Sequence, residues 1–332
     1  MAMPRAELRI LAERDVRAVL DTASALDLAR RTLLDQAAGG SFLSSPSSMA
    51  LDARPAGGPG LKFKAATVGH LQASGVRLLS RPGANGKRTV NYCMVYDHDS
   101  SRLAGLVDEP WLCRLRTAAF GTVASQALVN PGPLKVALFG TGGIAREIVP
   151  MLARTLEVSA MTVSSRRPES MAAFVAEHAG SVPFGVRAEP DPRRAMEGAG
   201  LVLTVTESPT PLVWPGSLAP GAVVCSMGSY NEVDWGVMQQ AQRLVVDDAD
   251  YASEIGDGAA WIAQGHLDRA GLQARIDAYA WEVAAGRKPG RTAPEQRIVA
   301  LMQGMAIGDV AFAAHALREA RARGLGTVVA LD

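Results

Sequence analysis

The spacing of apolar residues changes character twice along the chain. From Asp15 to Ala38, Leu20, Leu26, Leu28, Leu33 and Leu34 recur at helical intervals, which predicts an amphipathic helix or a pair of helices. A Gly/Ser/Pro-rich stretch, Gly39 to Ser48, ends it. Between Met49 and Val107 the apolar runs are short and separated by turn residues: LKFKAATV, GVRLLSR, TVNYCMVYD and LAGLVD. Asp97-His98-Asp99-Ser100 supplies hairpin-turn chemistry between the last two, so this part reads as a mostly antiparallel sheet.

From Leu112 the rhythm changes again. The small-residue helix RLRTAAFGTVASQALV stops at Asn130-Pro131-Gly132-Pro133. After it, the continuous apolar runs KVALFG, SAMTVSS, GLVLTVT, AVVCSMG and RLVVDD alternate with helical stretches such as PESMAAFVAEHA and VDWGVMQQA. Runs of this kind without period-two alternation suit strands buried on both faces of a parallel sheet. The last section, Pro294 to Arg323, reads as one long helix closed by Gly324, with Ile298, Leu301, Met302, Met305, Val310, Phe312 and Leu317 on its apolar face. Such a helix is expected to pack on the first domain or on a second subunit. The fold class is therefore α/β: a doubly wound parallel-sheet domain over residues 115–304, and a mostly antiparallel sheet domain from 1–114 and 305–332.

Composition narrows the function classes. A chain of 332 residues is about two domains' worth. Its 34 Lys and Arg against 33 Asp and Glu leave a formal charge of +1, without the concentrated basic surface that nucleic acid requires. Three cysteines (Cys93, Cys113, Cys225) make neither a disulfide framework nor a thiolate cage, and the five histidines lack metal-ligand spacing. No metal site is expected. Arg5, Glu7, Arg9, Glu13 and Arg14 interrupt any apolar leader. The long charge-free stretch Ser208 to Asn231 contains Pro209, Pro211, Pro215 and Pro220, which would break a membrane helix. The expectation is a soluble, cytoplasmic protein with neither a nucleic-acid nor a membrane partner.

The strongest chemical signal is the strand Val136-Ala137-Leu138-Phe139 running into Gly140-Thr141-Gly142-Gly143-Ile144-Ala145. In a G-x-G-x-x-A turn of Rossmann type, Gly140 permits the tight turn, Gly142 lets backbone approach a pyrophosphate, and Ala145 allows close helix–strand packing. The free N–H groups of the following helix then face the phosphates. The second strand of the unit ends in Ser164-Ser165-Arg166-Arg167, without an acid to bond the ribose hydroxyls of NAD. Guanidinium and hydroxyl groups suit a 2′-phosphate, which favours NADP(H) over NAD(H). The alternative is that the two arginines merely flank a surface helix. At the ends of later strands, Thr204, Val205 and Thr206, then Met227 and Gly228, are placed to line the nicotinamide–ribose side.

About 24 residues before the glycines stands Leu112-Cys113-Arg114-Leu115-Arg116-Thr117-Ala118-Ala119. This signature and the glycine loop resemble the ornithine cyclodeaminase/mu-crystallin family. Gly75-Val76-Arg77, Val95-Tyr96-Asp97, Leu103-Ala104-Gly105-Leu106-Val107-Asp108, Gly228-Ser229-Tyr230 and Gly304-x-Ala306-x-x-Asp309 extend the similarity over roughly residues 15 to 325. The resemblance implies a two-domain subunit, a homodimer joined through its sheet domains, a nicotinamide cofactor, and oxidation or reduction at carbon–nitrogen bonds. It also places Thr117 at the cofactor phosphate and Asp309 near the cofactor cleft.

Within that frame, Arg116 is expected to hold an α-carboxylate bidentately, the alternative being an inter-domain salt bridge. Arg77 occupies the place where the family usually carries a lysine. Arginine does not readily shuttle protons, so Arg77 reads as a second anionic clamp and Lys64 as the ammonium acid, with Lys62 on the same strand face left open. Ser229 stands where cyclodeaminating members have an aspartate, and a hydroxyl cannot supply that charge. Glu232 and Asp234 would substitute only if the loop folded back. Asp309 reads equally as a functional or a structural carboxylate. The expected activity is NAD(P)H-dependent reduction of small 2-imino acids (ketimines), or oxidation of the matching amino acids. Two alternatives stand beside it: ornithine or lysine cyclodeamination with tightly bound NAD, and a non-catalytic NADPH-binding protein of the mu-crystallin kind.

Overall fold

A computed structural model describes residues 6–53, 55, 59–81 and 90–331. The Pro/Gly-rich segment 54–60, whose path the sequence leaves open, falls largely outside them, as do Arg5 and Thr89. The chain divides into two compact units, Met1–Arg116 with Met305–Asp332, and Thr117–Gly304. The helix Pro110–Leu128 carries the chain from one to the other.

The first unit is built on an eight-stranded sheet. Its order is Thr327–Leu331, Ala6–Leu11, Arg102–Asp108, Asn91–Asp97, Ala73–Arg81, Gly60–Val68 and Phe42–Leu43, with Met49–Asp52 also pairing with Gly60–Val68. Every pairing is antiparallel except that of Ala6–Leu11 with Arg102–Asp108. Register places Lys64 directly opposite Arg77. Along Gly60–Val68 the buried side chains alternate, and Lys64 falls on the same inward face as Ala66 and Val68. The helix Ala306–Ala322 packs across the central strands. Two glycines make its approach close: a Cβ on Gly75 would lie 2.9 Å from Val310, and one on Gly105 would run into Leu317. Thr22–Ala37, capped by the Asp21 carboxylate on the Ser24 N–H, packs beside that helix.

The long C-terminal helix expected from Pro294 onwards is a strand followed by a shorter helix. Ile298–Leu301 forms a fully buried strand between Val223–Ser226 and Arg243–Val246, and the helix begins only at Ala306. Four apolar residues span about one helical turn, too few for periodicity to separate strand from helix. Gly304, at φ 93°, provides the left-handed turn between them. The helix belongs to the first unit, one of the two locations expected for it.

The second unit holds a parallel sheet in the order Gly185–Ala188, Val158–Ser164, Leu134–Phe139, Ala199–Thr204, Val223–Ser226, Ile298–Leu301, Arg243–Val246 and Ala278–Tyr279. The direction of winding reverses between Leu134–Phe139 and Ala199–Thr204. Ligands of such sheets bind outside the carboxyl ends of the strands at that reversal. The glycine turn lies there: Gly140 adopts φ 113°, and a Cβ on it would lie 2.9 Å from the Val205 carbonyl. Among the described residues no helix is long and apolar enough to cross a membrane.

Candidate active site

In the first unit, four of the residues singled out by sequence converge in one buried cluster. Lys64 is 2% exposed, Arg77 3%, Arg116 5% and Asp309 0%. Arg116 Nε donates to Asp309 Oδ1 at 2.6 Å, and Arg77 Nη1 stands 3.5 Å from Asp309 Oδ2. Asp309 lies in the first turn of its helix, not near the middle of a long one. The ion pair it makes with Arg116 lies within the first unit and engages Nε, not the terminal nitrogens of that guanidinium.

A fifth member, Glu109, had drawn no attention in the sequence. It is fully buried, and its Oε2 accepts from Arg77 Nε at 2.5 Å. One helical turn on, Cys113 Sγ accepts from Arg77 Nη2 at 3.0 Å and from Arg116 Nη2 at 3.4 Å. Glu109, Cys113 and Arg116 follow one another at i, i+4 and i+7, a single helix face, and that spacing was the available signal.

Burial governs the electrostatics. It lifts the Glu109 carboxyl to about 7, with Arg77 opposing and the Asp309 charge adding to the rise. Burial would raise Asp309 as well, but the charges of Arg116, Arg77 and Lys64 outweigh it and hold Asp309 below the ordinary carboxylate range. The two carboxyls are thus pushed apart. Glu109 Oε1 and Asp309 Oδ2 are both buried without a hydrogen-bond donor. The cluster carries an excess of positive charge suited to a small carboxylate.

In the second unit, Gly142 caps the helix Gly143–Thr155, and a Cβ on Gly142 would meet nothing within 4 Å. That open space beside free helix N–H groups fits a dinucleotide pyrophosphate. Ile144 and Ala145 complete the first turn, with Ala145 fully buried. Gly140 N–H donates to the Ser164 carbonyl at 2.9 Å, tying the loop to the end of the next strand. A depression of about 440 Å³ is lined by Thr141, Gly142, Arg146, Arg167, Glu169, Ser170 and Ala173. Ser164 is buried and Arg166 is exposed and outside this lining, while Ser165 accepts from the Arg167 N–H at 3.5 Å. Arg146, unremarked in the sequence, donates to the Thr141 carbonyl at 2.6 Å and pairs with Glu177 at 2.7 Å. Thr117 is buried at the start of this unit.

The loop after Val223–Ser226 does fold back. Glu232 is fully buried beneath Gly228, where a Cβ would strike its carboxylate, and it accepts from Thr206 N–H at 2.6 Å and Thr206 Oγ1 at 2.5 Å. Asp257 secures the turn by accepting from the N–H groups of Glu232 and Val233 at 2.6 and 2.8 Å, and from Ser226 Oγ at 2.5 Å. Burial, reinforced by the Glu232 charge, pushes Asp257 up to about 7. Burial also raises Glu232, against hydrogen bonds from Thr206 and Thr204. Met227 is buried and its N–H donates to the Thr204 carbonyl, whereas Ser229 is exposed at the tip of the loop. Asp234 instead caps the helix Trp235–Gln240. Asp247 accepts from the Gly304 N–H, and Asp248 caps Ala249–Ala252. Among the described residues no group of three or more His, Cys, Asp or Glu is arranged to hold a metal ion.

The sequence profile of the ornithine cyclodeaminase/mu-crystallin family matches residues 62–323. A Rhizobium meliloti (strain 1021) relative, RB0419, is 34% identical over 226 residues, 67% of each chain. A Delta(1)-pyrroline-2-carboxylate reductase of Bacillus cereus (strain ATCC 14579) is 25% identical over 271 residues, covering 78% of this chain and 81% of that one. A Delta(1)-pyrroline-2-carboxylate/Delta(1)-piperideine-2-carboxylate reductase of Azospirillum brasilense is 30% identical over 225 residues, covering 62% and 71%. Among solved structures, an archaeal alanine dehydrogenase dimer with bound NAD superposes with a TM-score of 0.87 at 20% identity, over 98% of this chain and 100% of that one. The Thermococcus litoralis Delta(1)-pyrroline-2-carboxylate reductase, in complex with NADH and L-proline, gives 0.86 at 19% identity, over 96% and 99%. At such identities the structural likeness establishes the fold.

Proposed function

Since this chain belongs to the ornithine cyclodeaminase/mu-crystallin family, we propose that it is an NAD(P)H-dependent oxidoreductase that reduces small 2-imino acids at the carbon–nitrogen bond. The observation that carries this reading is the buried Lys64–Arg77–Arg116 cluster, whose cations outnumber its ionised carboxylates. Arg116 and Arg77 attract the substrate carboxylate through their guanidinium charge, their terminal nitrogens turning to it from the weak thiol acceptor Cys113, which fixes the adjacent carbon. Asp309 holds both guanidinium groups in place. Lys64 supplies a proton for the imine nitrogen. Gly140, Thr141, Gly142 and Gly143 would hold a reduced nicotinamide dinucleotide, which when bound would supply the hydride.

Arg167 and Arg146 line the depression beside the glycine turn, which supports a preference for NADP(H) over NAD(H). Relatives named as reductases of Delta(1)-pyrroline-2-carboxylate make that cyclic imine the first substrate to try. The family resemblance and the exposed apolar residues Phe42, Met49 and Leu51 on edge strands support a homodimer, which light scattering would measure.

The test is an absorbance assay for NADPH oxidation with Delta(1)-pyrroline-2-carboxylate, its six-membered homologue, and 2-oxo acids supplied with ammonia. Cofactor oxidation dependent on an imine supports the reading. Ammonia release from ornithine without net cofactor oxidation would replace it with cyclodeamination. Cofactor binding without turnover of any imine would replace it with a binding role.

A further inference from the structure

We propose that Glu109 is a positioning residue that holds one proton in common with Asp309, and that this proton must be in place for Arg77 and Arg116 to receive the substrate carboxylate. The inference rests on the imino-acid reading above and adds to it a condition on affinity. Glu109 is fully buried and acts through Arg77, whose Nε donates to it.

The geometry argues for the shared proton. Glu109 Oε2 is taken by Arg77 Nε, and Asp309 Oδ1 by Arg116 Nε. The remaining oxygens, Glu109 Oε1 and Asp309 Oδ2, are both buried and both without a donor. Two buried acceptors with no donor are costly, and one carboxylic proton between them satisfies both. The lift of Glu109 and the lowering of Asp309 agree with Glu109 as its holder.

The groups around Glu109 come from every element packed on it. Arg77 lies on Ala73–Arg81, Cys93 on Asn91–Asp97, Asp309 on Ala306–Ala322, and Cys113 and Arg116 on Pro110–Leu128, the helix that starts directly after Glu109. Lys64, on Gly60–Val68, acts through Asp309. With the proton present, Asp309 is the one ionised carboxylate facing two guanidinium groups. With it absent, two carboxylates answer the two guanidinium groups, and an incoming anion meets one unit less of positive charge. Substrate binding and proton uptake are therefore linked, with a limiting slope of about tenfold in KM per pH unit.

The experiment compares wild type with Glu109→Gln, a neutral group that keeps a donor toward Asp309 and an acceptor toward Arg77. KM for Delta(1)-pyrroline-2-carboxylate is followed from about pH 6 to about pH 9, where a group near neutrality titrates. Titration of the substrate is common to both proteins and cancels in their ratio. Wild-type KM should rise by up to about tenfold per unit above neutrality relative to Glu109→Gln. Equal pH dependence in the two proteins would overturn the proposal. Infrared difference spectra of the free proteins supply a readout independent of turnover. Asp257 contributes equally to both proteins, so a protonated-carboxyl band that is lost on raising the pH and survives in the wild-type-minus-Glu109→Gln difference supports it, and no such difference band refutes it. If no imine is reduced but the band behaves as described, the imino-acid reading fails while the shared proton stands.

Discussion

Replacing Asp309 by Asn removes the carboxylate that answers Arg116 at 2.6 Å and Arg77 at 3.5 Å, in a site where none of the three is more than 5% exposed. Deleting one member of a buried ion pair leaves an uncompensated charge and costs about 3–5 kcal/mol. Here the cost depends on pH, because Glu109 stands by as a second carboxyl. The Asp309 charge is one of the forces that lift Glu109, and without it the two guanidinium groups pull the Glu109 carboxyl down. The sign follows from linkage. A carboxyl with a raised folded-state value loses stability as pH climbs from its unfolded value towards about 7, and the variant loses less over that window than wild type. The deficit of Asp309→Asn is therefore greatest near about pH 5 and narrows by about pH 8, where Glu109 has ionised to answer the arginines. Hydrogen exchange read on Ala73–Arg81 and Ala306–Ala322 isolates the opening of the first unit from that of the second. The double variant Asp309→Asn/Glu109→Gln, compared with Glu109→Gln alone, should show a deficit that does not change between these pH values. A deficit below about 1 kcal/mol, or one that does not change with pH in the single variant, would refute the reasoning.

Gly142→Ala should leave the fold unchanged, because a Cβ there meets nothing within 4 Å, yet weaken dinucleotide binding by about tenfold or more through collision with the phosphates, as measured by NADPH fluorescence titration. Arg167→Ala should weaken NADPH binding by about tenfold, a loss of about 1–2 kcal/mol, and change NADH binding little; an equal loss for both cofactors would rule out a 2′-phosphate contact. Asp257→Asn keeps an acceptor for the N–H groups of Glu232 and Val233 while removing a carboxyl held at about 7. Wild type should lose on the order of 4 kcal/mol more than this variant as pH rises from about 4 to about 7, read from urea midpoints of the second unit.

What the sequence disclosed and what it concealed divide along the distance over which each feature is determined. The strand and turn at Gly140 were legible because a glycine loop, its strand and its helix are contiguous, and each residue's task is set by its immediate neighbours. Lys64 and Arg77 were legible as a pair because two short alternating runs with a turn between them fix a register. The strand Ile298–Leu301 was misread as helix because its identity comes from the strands on either side of it, not from its own four residues. Glu109 illustrates the same limit at the site. An acid just before Pro110 reads locally as a favourable charge at a helix N-terminus. Its actual partners lie 32 residues back, at Arg77, and 200 residues on, at Asp309, and only the fold brings them together. Glu232 was recognised as an acid that would matter if the loop turned back. The turn depends on Asp257, 25 residues further along, binding the Glu232 N–H. In both places a buried carboxyl organises the groups that the local motif names. The motif residues supply the chemistry, and these distant acids set the charge and geometry in which that chemistry operates.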